Sequence, residues 1–254
     1  MEKSLATLTG PTWPGVHYFT TQIAGGYSQG PWRGLNLGQH CGDNPIHVAQ
    51  NRALLRSHLP NTPHWVQQVH GTDLYYATGA GAHEAAWHDA PRADAMWTDQ
   101  KNTVLAILTA DCLPVVITDH RAQVIGVAHA GWRGLAGGVL QRLFTQLQSQ
   151  CDSSAQWRAW IGPAISQAHF EVGAEVYETF LHVNTDLAAY FIYDQASQRY
   201  WADLPRIARY LLNQCDSTMQ VHVSHACTYA ETENYYSYRR HNLTGRIATI
   251  AWLG

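Results

Sequence analysis

Three residues of this chain carry donors that could share one metal ion. His70, Cys112 and His129 each lie just past the end of a predicted strand, and each precedes a turn: Gly71, Leu113-Pro114 and Ala130-Gly131. Ends of neighbouring strands meet at one rim of a sheet, where open α/β sheets place their ligand sites. Imidazole nitrogen and thiolate sulfur suit Zn2+, and three protein ligands leave a fourth position open, as in catalytic zinc centres. Water at that position would ionise near neutral pH. Cu2+ would bind the same donors more tightly. Taken singly, each residue has a plainer reading, a hydrogen-bonded histidine or a small cysteine filling the core. The intervals of 42 and 17 residues match no short metal motif. A metal-free arrangement would make Cys112 a nucleophile with His129 as its base, although a second histidine at His70 is better explained by a metal. Asp111, beside Cys112, would act as a base or orient a ligand.

The segment after His129 reads AGWRGLAGG over residues 130–138 and leads into a helix. Backbone N–H groups and the positive helix end would favour phosphate there, with Arg133 as a bidentate clamp. Glycine serving only tight packing below Trp132 explains the segment equally well. Arg240 is a second phosphate candidate, followed by Arg239 and Arg246. Trp132 and Tyr235 or Tyr236 are candidates to stack on a base. His169-Phe170-Glu171 matches half of the zinc deaminase signature, but the P-C-x-x-C half is absent, which excludes that fold. No His-x-His pair occurs, so several copper sites of the multicopper oxidase kind cannot be built. His40, His47, His58, His83 and His88 sit in polar or helical contexts and are expected in solvent.

Around these residues the pattern alternates strands and helices. Residues 64–70, 104–109, 115–118, 123–128, 157–161, 221–224 and 246–252 are predicted strands. Asn44-Pro45 opens a helix to Leu59, with Asn44 as N-cap and Ile46, Ala49, Ala53 and Leu54 on its stripe. A second helix carries Val139, Leu140, Leu143, Phe144 and Leu147 on one face, and a third covers 205–212. Residues 25–44 and 79–93 read as loops. This describes one compact α/β (α+β) domain over residues 1–254, with mixed sheets flanked by helices.

Composition narrows the function classes. Of 254 residues, 46% are hydrophobic and 14% charged, with ten Trp and thirteen Tyr, which is not the profile of a disordered chain. The net charge of −3 provides no overall basic field for nucleic acid. The amino-terminal residues lack a signal-peptide core, and no apolar run reaches the ~20 residues of a membrane span. Five cysteines without a C-x-x-C pair favour a reducing compartment, the cytoplasm. No protein partner is indicated.

Several segments together resemble one family: residues 64–71 (HWVQQVHG), 109–115 (TADCLPV), 128–134 (AHAGWRG), 161–163 (IGP), 170–176 (FEVGAEV) and 236–240 (YSYRR), with Thr244-Gly245-Arg246. They resemble the YfiH-type family, whose members have been called laccase-domain or polyphenol oxidases, purine nucleoside phosphorylases and peptidoglycan editing factors. The resemblance runs from about Phe19 to Leu253. It implies the mixed α/β fold of that family, similar to toxin-deamidase-like cysteine hydrolases, and metal ligands at His70, Cys112 and His129. It also implies zinc-dependent phosphorolysis of adenosine, inosine and methylthioadenosine, with deamination of adenosine. Alternatives are an amide hydrolase editing a UDP-MurNAc-L-Ser type precursor, or a copper-dependent polyphenol oxidoreductase. One departure stands out: Gln22 occupies the place where the family usually has Arg. Any anion-binding role of that Arg would pass to Arg33.

Overall fold

The most apolar stretches of the chain become its central strands. LAILT, LPVVITD, IGVAHA and WRAWI are each buried along their whole length, as expected of strands covered on both faces. The computed structural model describes residues 4–79 and 87–254. In chain order its main elements are β1 (Thr7–Leu8), β2 (Val16–Thr21), α1 (Pro45–Arg56), β3 (Leu74–Tyr76), β4 (Ala95–Thr98), β5 (Leu105–Thr109), β6 (Leu113–Asp119) and β7 (Ile125–Ala130). Then follow α2 (Trp132–Ala136), α3 (Val139–Gln148), β8 (Trp157–Ile161), β9 (Glu171–Val172), α4 (Ala174–Val183), β10 (Phe191–Asp194), β11 (Arg199–Ala202), α5 (Leu204–Cys215), β12 (Gln220–Val223) and β13 (Ile247–Leu253). A six-stranded sheet runs β12-β8-β6-β7-β4-β3, a four-stranded sheet β1-β2-β13-β5, and a three-stranded sheet β10-β11-β9. β3 with β4 and β8 with β12 pair parallel, while β6 pairs antiparallel with both β7 and β8.

The two-residue period of a strand sorts the core into layers. On β6, Leu113, Val115 and Ile117 join a core with Leu140, Leu143 and Phe144 of α3 and Ile207 and Leu211 of α5. Val116 belongs instead to a core with Leu105 and Ile107 of β5 and Ala251 and Leu253 of β13. The intervening β5 residues Ala106 and Leu108 pack outward with Leu55 of α1. The order through the molecule is therefore α1, four-stranded sheet, six-stranded sheet, then α3 and α5. Gly126 lets α3 lie close on β7: a Cβ there would stand 2.8 Å from Leu143 Cδ1.

Several expectations need correction. Residues 64–70 form no strand but only isolated bridges, His64 to Leu105 and Gln67 to Arg92, and the backbone turns left-handed at His70. β7 begins and ends two residues later than predicted, so His129 lies inside the strand rather than beyond it. Cys112 immediately precedes β6, because Leu113-Pro114 begins that strand and is no turn. α1 is capped by Asn44, whose side chain accepts from Ile46 N at 2.9 Å, but it ends at Arg56. Its buried face is Val48, Asn51, Arg52 and Leu55, whereas Ile46 is 66% exposed. The helix docks through polar groups: Asn51 Nδ2 donates to Asn36 O and Arg52 Nε to Leu37 O. These bonds satisfy loop carbonyls that an apolar stripe would leave unpaired. Helix α4 and the β10–β11 hairpin lack a counterpart in the sequence reading. Residues 80–86 of the predicted 79–93 loop, His83 among them, lie outside the described residues.

Candidate metal centre

Register brings the three donors to one rim. β6 and β7 pair Leu113 with Ala130 and Pro114 with His129. Cys112, one residue before β6, therefore stands beside the end of β7. Cys112 Sγ lies 3.8 Å from His70 Nε2. The ligand atoms of His70, Cys112 and His129 all lie within 4.8 Å of one another. Tetrahedral zinc, with bonds of about 2.3 Å to sulfur and 2.0–2.1 Å to nitrogen, separates such donors by roughly 3.6 Å. The donor set and its spacing fit one metal ion. The His70 and His129 rings stand edge to face, 4.7 Å apart at 80°. Gly131 keeps the place clear: a Cβ there would stand 2.8 Å from His70 Cδ2 and 2.9 Å from Cys112 Sγ.

His70 has a φ of 60°, a left-handed backbone that is unfavourable for a residue with a Cβ unless its surroundings hold it. The buried carboxylate of Asp94 does so. Asp94 Oδ1 accepts from His70 N at 2.9 Å, and Oδ2 from Val69 N at 3.1 Å and Gly71 N at 2.7 Å. The same Oδ1 lies 2.8 Å from His129 Nδ1. Asp94 is absent from the sequence reading. Its available signal is a lone acid at the head of an apolar strand, Ala93-Asp94-Ala95-Met96, a setting in which a charge requires partners.

The charges of the trio are coupled. Burial pushes the Cys112 thiol up, but the His129 and His70 imidazoles outweigh it and bring the pKa down to about 6. Burial disfavours the His129 imidazolium, yet the Cys112 thiolate and Asp94 hold it up to about 9. Desolvation likewise raises Asp94, and its bonds to His129 and the backbone more than reverse that. Without metal, the centre at neutral pH is thus a thiolate–imidazolium pair backed by a carboxylate.

The trio lines an open cavity of about 520 Å3, within the roughly 300–1,000 Å3 of small-molecule sites. Trp132, Trp87, Phe170 and Tyr238 add aromatic surface, and Arg133, Arg239 and Arg246 add positive charge. Asp111 also lines it, with a φ of 88°. Both of its oxygens are engaged: Oδ1 accepts from Thr228 Oγ1 and Oδ2 from Arg239 N, each at 2.7 Å. Asp111 therefore ties the carboxy-terminal loops to the rim. His40, expected in solvent, is exposed and lines this cavity, its ring tilted 30° to that of Trp87 with centroids 4.9 Å apart.

Other expected site residues lie elsewhere. Arg33 and Arg240 line a separate cavity with Tyr236. Arg33 pairs with Glu233 at 3.3 Å, both largely exposed. Arg240 spends its guanidinium on the carbonyls of Thr228, Tyr229 and Tyr235. Tyr235 and Tyr236 pack in a small core with Ile23 and Ile247. Gln22 Nε2 donates to Tyr235 OH at 3.3 Å and does not line the trio's cavity. The glycine-rich segment contains the five-residue α2, in which Leu135 N donates to Gly131 O, and Gly137 N, just past its end, donates to Arg133 O.

A mixed α/β fold with a His–Cys–His cluster at the rim of its central sheet defines a class of candidate metalloenzyme. A family model described as multi-copper polyphenol oxidoreductase laccase matches residues 16–254, and this chain belongs to that family. It is 41% identical over 254 residues to the Escherichia coli protein named purine nucleoside phosphorylase YfiH, covering 98% of this chain and 100% of that one. A Pseudomonas aeruginosa protein, also named a purine nucleoside phosphorylase, is 38% identical over 96% of this chain and 97% of its own length. A Neisseria meningitidis crystal structure is similar with a TM-score of 0.86 at 35% identity, covering 98% of each chain. That of Bacillus licheniformis YfiH is similar with a TM-score of 0.90 at 27% identity, covering 100% of this chain and 98% of that one.

Proposed function

We propose that this protein is a zinc-dependent purine nucleoside phosphorylase that also deaminates adenosine, with adenosine, inosine and methylthioadenosine as substrates. The observation that carries this reading is the His70–Cys112–His129 trio on the wall of an open cavity that three arginines also line. The names given to the Escherichia coli and Pseudomonas aeruginosa relatives support the substrate class. The five free cysteines suit a reducing compartment, and we place the reaction in the cytoplasm.

Phosphorolysis breaks the bond between C1′ of the sugar and N9 of the base. A phosphate oxygen bonds to C1′, and the bond pair leaves with the base, which takes a proton. Arg133 would hold and orient the phosphate, since a guanidinium group matches its oxygens, while Arg239 and Arg246 add positive charge with their Nη1 atoms already donating to Glu171 O and to the Thr244 and Gly245 carbonyls. Phe170, Trp132 and Trp87 offer apolar faces against which a purine would stack and exclude water. His70, Cys112 and His129 would hold zinc, which supplies Lewis-acid polarisation of a group at its open position. Release of hypoxanthine from inosine tests the proposal. It should need phosphate, and it should stop on chelation and return with zinc. Phosphate-independent or chelator-insensitive release would refute it.

A further inference from the structure

The trio touches one residue that is not itself a donor to the metal. Asp94 is completely buried, and its two oxygens face four donors: Val69 N, His70 N, Gly71 N and His129 Nδ1. Two of these donors belong to candidate ligands on different parts of the chain. An ionised carboxylate only accepts, with about four lone-pair sites. Its acceptance from His129 Nδ1 requires the proton on Nδ1 and leaves the Nε2 lone pair for a metal. Its acceptance from the three successive amides holds His70 at a φ of 60°. Beyond its side chain, Asp94 O accepts from His129 N at 2.7 Å, so its peptide fixes the same histidine.

We infer that Asp94 is the positioning residue of the metal centre: its one carboxylate sets the tautomer of His129 and clamps the backbone of His70, so that both present Nε2 to the same ion. The inference rests on the reading of the trio as a metal site. An asparagine cannot replace it. Its oxygen accepts on one side only, and its NH2 group must face either the Val69 and Gly71 amides or His129 Nδ1. The first arrangement sets donor against donor at the His70 turn. The second moves the His129 proton to Nε2, the atom a metal needs.

The test titrates metal-free wild type, Asp94→Asn and Asp94→Glu with Co2+, reading affinity by competition and geometry from the d–d bands. Asp94→Asn should bind about 10–100-fold more weakly, the usual effect of removing such a partner, with altered bands, and Asp94→Glu should recover part of the affinity. A fold-only role would lower the melting temperature and leave bands and affinity as in wild type, which would overturn the inference. If wild type itself binds no cobalt, both the metal reading and this inference fall. If it binds and Asp94→Asn binds equally, only this inference falls. Nitrogen-15 NMR of zinc-loaded wild type decides the matter even if the variants do not fold: Nδ1 of His129 should carry the proton, and a proton on Nε2 would overturn the inference.

Discussion

Cys112 Sγ lies 3.8 Å from His70 Nε2, although 42 residues separate the two in the chain. The contact joins an irregular turn to the start of β6, and His129 completes the triangle from inside β7. A dyad needs only one imidazole beside the sulfur; here two flank it.

Replacing Cys112 separates the metal reading from the dyad reading. Cys112→Ser should lose metal and activity together, falling from about one zinc per chain to a small fraction of that by elemental analysis. Loss of activity with metal retained would favour Cys112 as a nucleophile with His129 as its base.

Phosphate recognition should follow the cavity rather than the number of arginines. Arg133 lines the trio's cavity, stacks on Trp132 at 4.3 Å, and has no carboxylate partner among the described residues. Arg133→Ala should raise the KM for phosphate about tenfold or more, the ~1.5–3 kcal/mol of a charged hydrogen bond, without changing metal content. Arg33→Ala, in the other cavity, should leave steady-state kinetics as in wild type.

Metal uptake should be linked to pH in a defined direction. With Cys112 brought down to about 6 and His129 held up to about 9, the thiolate is already formed at pH 7.5, and the imidazolium must give up its proton to ligate. Zinc binding at pH 7.5 should therefore release about one proton, measured with a pH indicator. Release should rise below pH 6, where Cys112 also carries a proton, and fall away above pH 9.

Gly126→Ala should destabilise the fold without touching the trio's ligands. The added Cβ would meet Leu143 Cδ1 at 2.8 Å, Cδ2 at 3.1 Å and Cγ at 3.2 Å. Overpacking of this kind costs about 1–3 kcal/mol, to be read from chemical denaturation. An unchanged denaturation midpoint would show that α3 shifts freely on β7.

Much of this arrangement was legible in the residues, for physical reasons that differ by element. The strands of the central sheet are continuous apolar runs, and α3 shows its buried face as Val139, Leu140, Leu143, Phe144 and Leu147, so both could be read directly. The trio was legible from donor chemistry near strand ends, although the ends themselves were misplaced by a residue or two. The face of α1 was not legible, because Asn51 and Arg52 are buried by bonds to loop carbonyls that no local pattern announces. The placement of Arg33 and Arg240 in a cavity apart from the trio was not legible either. Charge alone does not say whether a guanidinium faces a cavity or is spent on backbone carbonyls. Asp94 escaped because its role depends on four donors brought together by tertiary contacts.

The most direct measurement pairs metal analysis with one chromatographic assay, on protein purified without a His-tag or added metal. The protein is incubated with adenosine, with and without inorganic phosphate. About one zinc per chain and adenine formed only with phosphate are the predicted results, and inosine in both samples would be the expected deamination. Neither adenine nor inosine from a zinc-loaded protein would contradict the account and direct attention to amide substrates such as cell-wall precursors.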